Sequence, residues 1–187
     1  MKVSIGVSNR HVHLKEEHLK ILFGSDFVLE KKSDLTQPGM YASKSLVTIK
    51  TEKSEIQNVR VVGPVRTYTQ VEISKTDAYK LGLNPPIRNS GDVEGSSPIT
   101  IVGPKGTLEL GEGCIIPTRH IHILPNQVNL YGLEGKEMVN VKIAGEKGGI
   151  LNNVHLKVSD EAFFELHLDT DDANAHLIKN GDIGEIL

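Results

Sequence analysis

Arg10-His11-Val12-His13-Leu14 returns further along the chain as Arg119-His120-Ile121-His122-Ile123. Two histidines separated by one residue face the same way only on an extended strand, where successive side chains alternate between faces. Each copy therefore reads as a two-pronged imidazole fork on a strand, with the middle residue turned to the opposite face. A single His-x-His pair occurs on exposed strands and among hydrogen-bonded core residues. A repeated pair, with the same arginine before it and an aliphatic residue after it, points to metal binding.

A second repetition extends the first. Glu72-Ile73-Ser74-Lys75-Thr76-Asp77-Ala78 lines up with His167-Leu168-Asp169-Thr170-Asp171-Asp172-Ala173, so Glu72 and His167 hold the same offset from an Asp-Ala pair. Thr76 or Asp77 would cap a helix ending at Gly82, and Asp171 or Asp172 one ending near Asn180-Gly181. The order of fork, then single ligand, occurs twice. Two related halves follow, 1–86 and 87–187, whose terminal strands can exchange between them. The six candidate ligands His11, His13, Glu72, His120, His122 and His167 suit two metals about a pseudo-twofold, with Glu72 a natural bridge because a carboxylate has two oxygens.

The elements around the forks are short. Lys2 to Leu14 reads as one strand, from the alternation of Val3, Ile5 and Val7, and Lys15 to Phe23 as a helix stopped by Gly24. Leu46 to Lys50, Ile56 to Val62, Glu137 to Ile143 and Gly149 to Val158 read as strands, and Ile99 to Leu110 as a hairpin. Arg66 to Ser74 alternates as a strand that would put Arg66, Tyr68, Glu72 and Ser74 on one face. Asn89 to Pro98, rich in Gly, Ser and acidic residues, reads as a linker or surface loop. Strands this numerous and short, punctuated by Gly or Pro, predict a mainly β fold of two small β-barrels capped by short α-helices. His155 and His176 lack repeat partners and read as surface histidines, His18 reads as a solvated histidine beside Glu16 and Glu17, and Lys31 and Lys32 as a solvated patch that could also meet a phosphate-bearing ligand.

Composition narrows the function. A net charge of -3 and 4% aromatic residues give neither the basic excess nor the stacking residues of a nucleic-acid binder. No apolar run reaches the length of a membrane span and no signal-peptide core is present, so a cytoplasmic location is expected. One cysteine, Cys114, excludes an intramolecular disulfide framework and suits a reducing compartment.

Val7-Ser8-Asn9-Arg10-His11-Val12-His13, Gly63-Pro64-Val65-Arg66, Gln70-Val71-Glu72, Pro117-Thr118-Arg119-His120-Ile121-His122 and His167-Leu168-Asp169-Thr170-Asp171-Asp172-Ala173-Asn174 together resemble the PduL family of phosphate propanoyltransferases. These are phosphotransacylases of bacterial microcompartments and of some acetate-forming pathways. The resemblance covers nearly the whole chain. It implies a pair of helix-capped barrels and two zinc ions per chain with coenzyme A at their edge. His11, His13 and Glu72 would bind the first zinc, and Glu72, His120, His122 and His167 the second. Arg66 matches the phosphate-binding arginine, while Ser8, Asn9, Arg10 and Asn174 match positions near the coenzyme. A homodimer follows by analogy. Compartment-targeted members carry an amphipathic extension before the first strand; only Met1-Lys2 precede Val3 here, so encapsulation by that route is not expected.

The chemistry implied is reversible transfer of a propanoyl or acetyl group between coenzyme A and inorganic phosphate. Zinc is a Lewis acid that accepts sulfur, and an arginine fork clamps phosphate. Direct attack by phosphate competes with a covalent route through Cys114, which reads as a small buried hydrophobe. Read without the resemblance, His forks with a carboxylate also suit a cupin-like mononuclear metal oxygenase or isomerase, though Glu72 lies far beyond the usual short gap after the fork. Losing His11 or His13 is expected to cost more chemistry than stability.

Overall fold

Val12 and Ile121, the residues between the paired histidines, are both fully buried. Each belongs to a different hydrophobic core, so each fork is the outward face of a strand whose other face closes a barrel. The computed structural model describes residues 1–187 and contains two units, one built from Arg10–Pro117 and the other from Met1–Asn9 with Thr118–Leu187. Lys2 to Leu14 is not one strand: β1 (Lys2–Ser8) and β2 (His11–His13) are separated at Asn9-Arg10. The break is needed because the two strands pair in different sheets.

The larger unit contains β2, α1 (Glu16–Phe23), β3 (Lys31–Asp34), β4 (Tyr41–Lys50), β5 (Glu55–Gly63), β6 (Gln70–Glu72), α2 (Lys75–Leu81), β7 (Ile87–Arg88), β8 (Ser97–Val102) and β9 (Thr107–Pro117). Six of its strands close a ring. Strand β4 pairs antiparallel with β5, β5 parallel with β2, β2 antiparallel with β6 and β6 parallel with β9. Then β9 pairs antiparallel with β8, and β8 antiparallel with β4. Helix α1 buries Leu19, Leu22 and Phe23 against this barrel's core, and Gly82 ends α2 in the left-handed conformation that glycine adopts without steric cost.

The smaller unit contains β1, β10 (His120–Ile123), α3 (Pro125–Leu130), β11 (Met138–Ile143), β12 (Gly149–Val158), β13 (Glu165–Asp169), α4 (Thr170–Ala175) and β14 (Ile183–Ile186). Its ring repeats the same pattern. Strand β11 pairs antiparallel with β12, β12 parallel with β10, β10 antiparallel with β13 and β13 parallel with β1. Then β1 pairs antiparallel with β14, and β14 antiparallel with β11. The fold is thus mainly β, with two closed six-stranded barrels and short helices.

Position for position, β1 occupies in the smaller barrel the place that β9 occupies in the larger. The strand leading into each fork closes the barrel that holds the other fork. The division expected between residues 86 and 87 falls inside the larger unit, where Ile87 and Arg88 pair with Ile116 and Pro117. No helix is long and apolar enough to cross a membrane.

Candidate functional site

In the larger unit, antiparallel pairing sets His11 opposite Glu72 and His13 opposite Gln70. His11, His13 and Glu72 thereby bring one ligand atom each to within 4.8 Å of one another. The Nε2 atoms of His11 and His13 are 3.2 Å apart, and the Glu72 carboxylate lies 3.5 Å from Nε2 of His11 and 3.9 Å from Nε2 of His13. The smaller unit repeats this arrangement. His120 lies opposite His167 and His122 opposite Glu165; His120, His122 and His167 form a second triad within the same limit. Its fork holds the two Nε2 atoms 3.1 Å apart.

The ring hydrogen bonds suit a cation. Nδ1 of His120 donates to the Thr118 carbonyl at 2.9 Å, and Nδ1 of His13 to the Val62 carbonyl at 3.3 Å. A carbonyl can only accept, so the proton sits on Nδ1 and the Nε2 lone pair points at the neighbouring ring. Zinc–nitrogen bonds of about 2.0–2.1 Å in tetrahedral geometry would set two ligands roughly 3.3 Å apart, close to both fork spacings. Protonation is also suppressed. Burial, then the charges of His11 and Arg66, push His13 well below the usual imidazole range. Burial, then His120 and His167, push His122 down to about 2. Neutral imidazole is the form that ligates metal. Three protein ligands per centre is the donor set of catalytic zinc.

Beside the first triad lies an anion-competent cluster. The Arg66 backbone N–H donates to the Leu14 carbonyl at 2.9 Å, anchoring the arginine to the end of the fork. Its Nη1 donates to Tyr68 Oη at 2.6 Å and to Ser90 Oγ at 3.1 Å. Gln70 Nε2 donates to Ser90 Oγ at 2.9 Å and to Glu72 Oε1 at 2.6 Å, while the Gly91 N–H donates to Gln70 Oε1 at 2.7 Å. A continuous polar chain therefore runs from the guanidinium to a metal-competent carboxylate.

Two expectations change here. Only Gln70–Glu72 of the segment Arg66–Ser74 is strand; Thr69 instead bonds the Lys15 N–H and the His18 ring, which holds Arg66–Thr69 out of the sheet. The stretch read as a linker or surface loop is a loop between β7 and β8, and it carries Ser90 and Gly91 onto Gln70. Gln70 was findable, because it sits two residues before Glu72 and so shares its face. Ser90 had no such signal.

Each fork is also tied to the helix after its third ligand. Arg10 Nε donates to Asp77 at 2.8 Å, and Arg119 donates to both oxygens of Asp172 at 2.6 and 2.7 Å. The helix caps are Ser74 and Asp169, not the later residues expected: their side chains accept from the N–H groups of Asp77 and Asp172. The carboxylates of Asp77 and Asp172 serve the arginines instead, and α4 ends at Ala175, well before Asn180. Arg10 is thus engaged in its own unit. In the smaller unit, Ser8 pairs with Asp169, the cap of the helix that carries exposed Asn174, and Asn9 is exposed.

Nδ1 of His176 donates to the Lys147 carbonyl at 2.8 Å. His155 is half-buried and lies beside His120 in the parallel register. Cys114 is fully buried, and burial raises its thiol to about 12, leaving almost no thiolate at neutral pH. Cys114→Ala is expected to retain turnover within about twofold and to lose about 1 kcal/mol of stability. Labelled acyl-CoA incubated with the parent protein should leave no acyl-protein adduct; an adduct that vanishes in Cys114→Ala would establish the covalent route.

The sequence model of the phosphate propanoyltransferase family matches residues 4–179. The chain is similar to a phosphate propanoyltransferase of Thermotoga maritima, 48% identical over 186 residues that cover 99% of this chain and 89% of that protein. It is similar to one of Lachnoclostridium phytofermentans, 46% identical over 186 residues, with 99% and 87% covered. A third, from Salmonella typhimurium, is 44% identical over 174 residues, with 92% and 82% covered.

Proposed function

Because the chain belongs to the phosphate propanoyltransferase family, we propose that it transfers propanoyl or acetyl reversibly between coenzyme A and inorganic phosphate, with one zinc held by each triad. The observation that carries this reading is the polar chain from Arg66 through Ser90 and Gln70 to Glu72. It sets an anion clamp beside a metal-competent carboxylate, which is the pairing that phosphate-dependent cleavage of a thioester requires. Zinc, when bound by His11, His13 and Glu72 and by His120, His122 and His167, would supply a Lewis acid and a site that accepts thiolate sulfur.

Arg66 receives the phosphate. Its Nη2 faces the Met40 sulfur at 3.9 Å, a weak acceptor that a phosphate oxygen displaces readily. With Nη1 pinned by Tyr68 and Ser90, the fork is presented in one orientation. Ser90, whose Oγ accepts from both Arg66 and Gln70, keeps its hydroxyl proton to donate to the same anion. A phosphate oxygen attacks the thioester carbonyl carbon, the carbon–sulfur bond breaks, and the proton of hydrogen phosphate leaves on the coenzyme thiol. Acyl-CoA and hydrogen phosphate thus become acyl phosphate and coenzyme A with no other reactant. Holding the two substrates in line can supply about 7–11 kcal/mol of the barrier reduction. Ser8, Asn9 and Asn174 are proposed to meet the coenzyme, and Arg10 to support it from its ion pair.

A thiol-release assay with a panel of short acyl-CoAs tests the function. Release should require phosphate and should stop after chelation, returning when zinc is restored. Absence of phosphate-dependent release from every short acyl-CoA would reject the assignment. Metal analysis completes the test: two zinc ions per chain are expected, whereas a single iron or manganese would favour the mononuclear oxygenase or isomerase.

A further inference from the structure

The two repeats differ at one pair of facing positions. Gln70 stands two residues before the last ligand of the first triad, Glu72, and Glu165 stands two residues before the last ligand of the second, His167. The strand registers make the positions equivalent: Gln70 lies opposite His13, and Glu165 opposite His122. The carboxylate has therefore changed places within the motif. One centre has two histidines and a glutamate beside a neutral amide, and the other has three histidines beside a carboxylate.

Glu165 is only 5% exposed, and its Oε2 lies 2.8 Å from Nε2 of His167. A buried carboxylate is costly unless a positive partner and hydrogen bonds compensate it. Room for the pair comes from a neighbouring strand. Gly6 of β1 is the register partner of His167, and a Cβ added there would lie 3.0 Å from Cδ and Oε2 of Glu165 and 3.2 Å from Cδ2 of His167. Glycine at residue 6 is what leaves both side chains undisturbed.

We propose that Glu165 is the charge-balancing carboxylate of the second triad, a positioning residue that orients His167 and offsets the charge of a divalent ion that three neutral imidazoles leave uncompensated. The inference rests on reading the triads as metal centres. With Glu165 counted, each centre has one carboxylate for one divalent cation, and the two halves become electrostatically matched despite their different ligands. With Nε2 of His167 given to Glu165, Nδ1 is the nitrogen that would ligate, and a carboxylate on the ring nitrogen opposite the ligating one is typically worth 10- to 100-fold in metal affinity.

The test is a titration of metal-free protein with zinc against a competing chelator, and with cobalt(II) followed by its visible absorption. The parent should show two binding steps, one of which His120→Ala removes. Glu165→Gln preserves shape and a hydrogen-bonding group while deleting the charge; it should weaken that same step 10- to 100-fold and leave the other unchanged. Gly6→Ala, which crowds the pair without altering its charge, should weaken the same step and gives an independent reading if the glutamine variant does not fold. Two unaltered affinities in a folded Glu165→Gln protein would overturn the proposal. A parent protein that binds neither metal would instead overturn the metal reading itself.

Discussion

Replacing His120 with alanine is expected to lower metal content from two ions per chain to one and turnover by on the order of 10³-fold, about 4 kcal/mol of transition-state stabilisation. The fold should tolerate the change. The neighbour that fills the barrel is Ile121, fully buried, whereas His120 is on the outward face and only partly buried. With metal stripped from both, the variant should therefore melt within a few degrees of its parent, and metal analysis, turnover and melting temperature check all three expectations. His11→Ala is the matching experiment for the first triad. His13→Ala is less clean, because His13 is 2% exposed and its loss opens a cavity and strands the Val62 carbonyl. A folded His120→Ala protein with unchanged turnover would remove the second triad from catalysis.

The second large effect is expected at Arg66. Arg66→Ala should reduce kcat/KM for phosphate by about 10²- to 10³-fold, the loss of one or two charge-assisted hydrogen bonds at about 1.5–3 kcal/mol each. The corresponding parameter for acyl-CoA at saturating phosphate should fall far less. Arg66→Lys separates charge from shape: an ammonium keeps the positive charge but cannot bond Tyr68, Ser90 and a phosphate oxygen from one rigid plane. It should recover less than a tenth of the lost activity. Full recovery by lysine would mean that Arg66 acts through charge alone, and an unchanged phosphate dependence in the alanine variant would move the phosphate elsewhere.

The two triads were legible in the sequence because they depend on short-range geometry. An i, i+2 pair on a strand shares a face whatever the strand pairs with, and repetition then located Glu72 and His167. The alternation of Val3, Ile5 and Val7 likewise told which side of β1 is buried. It could not tell against which core, because the partners of β1 lie at residues 165–169 and 183–185, at the far end of the chain. The division at residue 86 failed for that reason: similarity between segments identifies repeats, whereas barrel closure decides what packs together. The caps were misread by two or three residues because Ser74, Thr76 and Asp77, and Asp169, Asp171 and Asp172, are all competent caps. Only the strand ends and the arginine ion pairs choose among them. Ser90 was invisible because no periodic pattern sets the path of a Gly- and Ser-rich loop.

The place of β1 has a consequence for the order in which the protein can be made. Residues 10–117 hold all six strands of one barrel and can close it while the rest of the chain is still being synthesised. Strand β1 must wait. Its neighbours on either side, β13 and β14, emerge from the ribosome only after the whole of the larger barrel, so a seven-residue strand has both edges unpaired while residues 9–164 are translated. The second barrel then pays the entropy of joining segments far apart in the chain in its final step. Shielding of β1 during that interval, by slow emergence or by a chaperone, matters more to the yield of active protein than to its final stability.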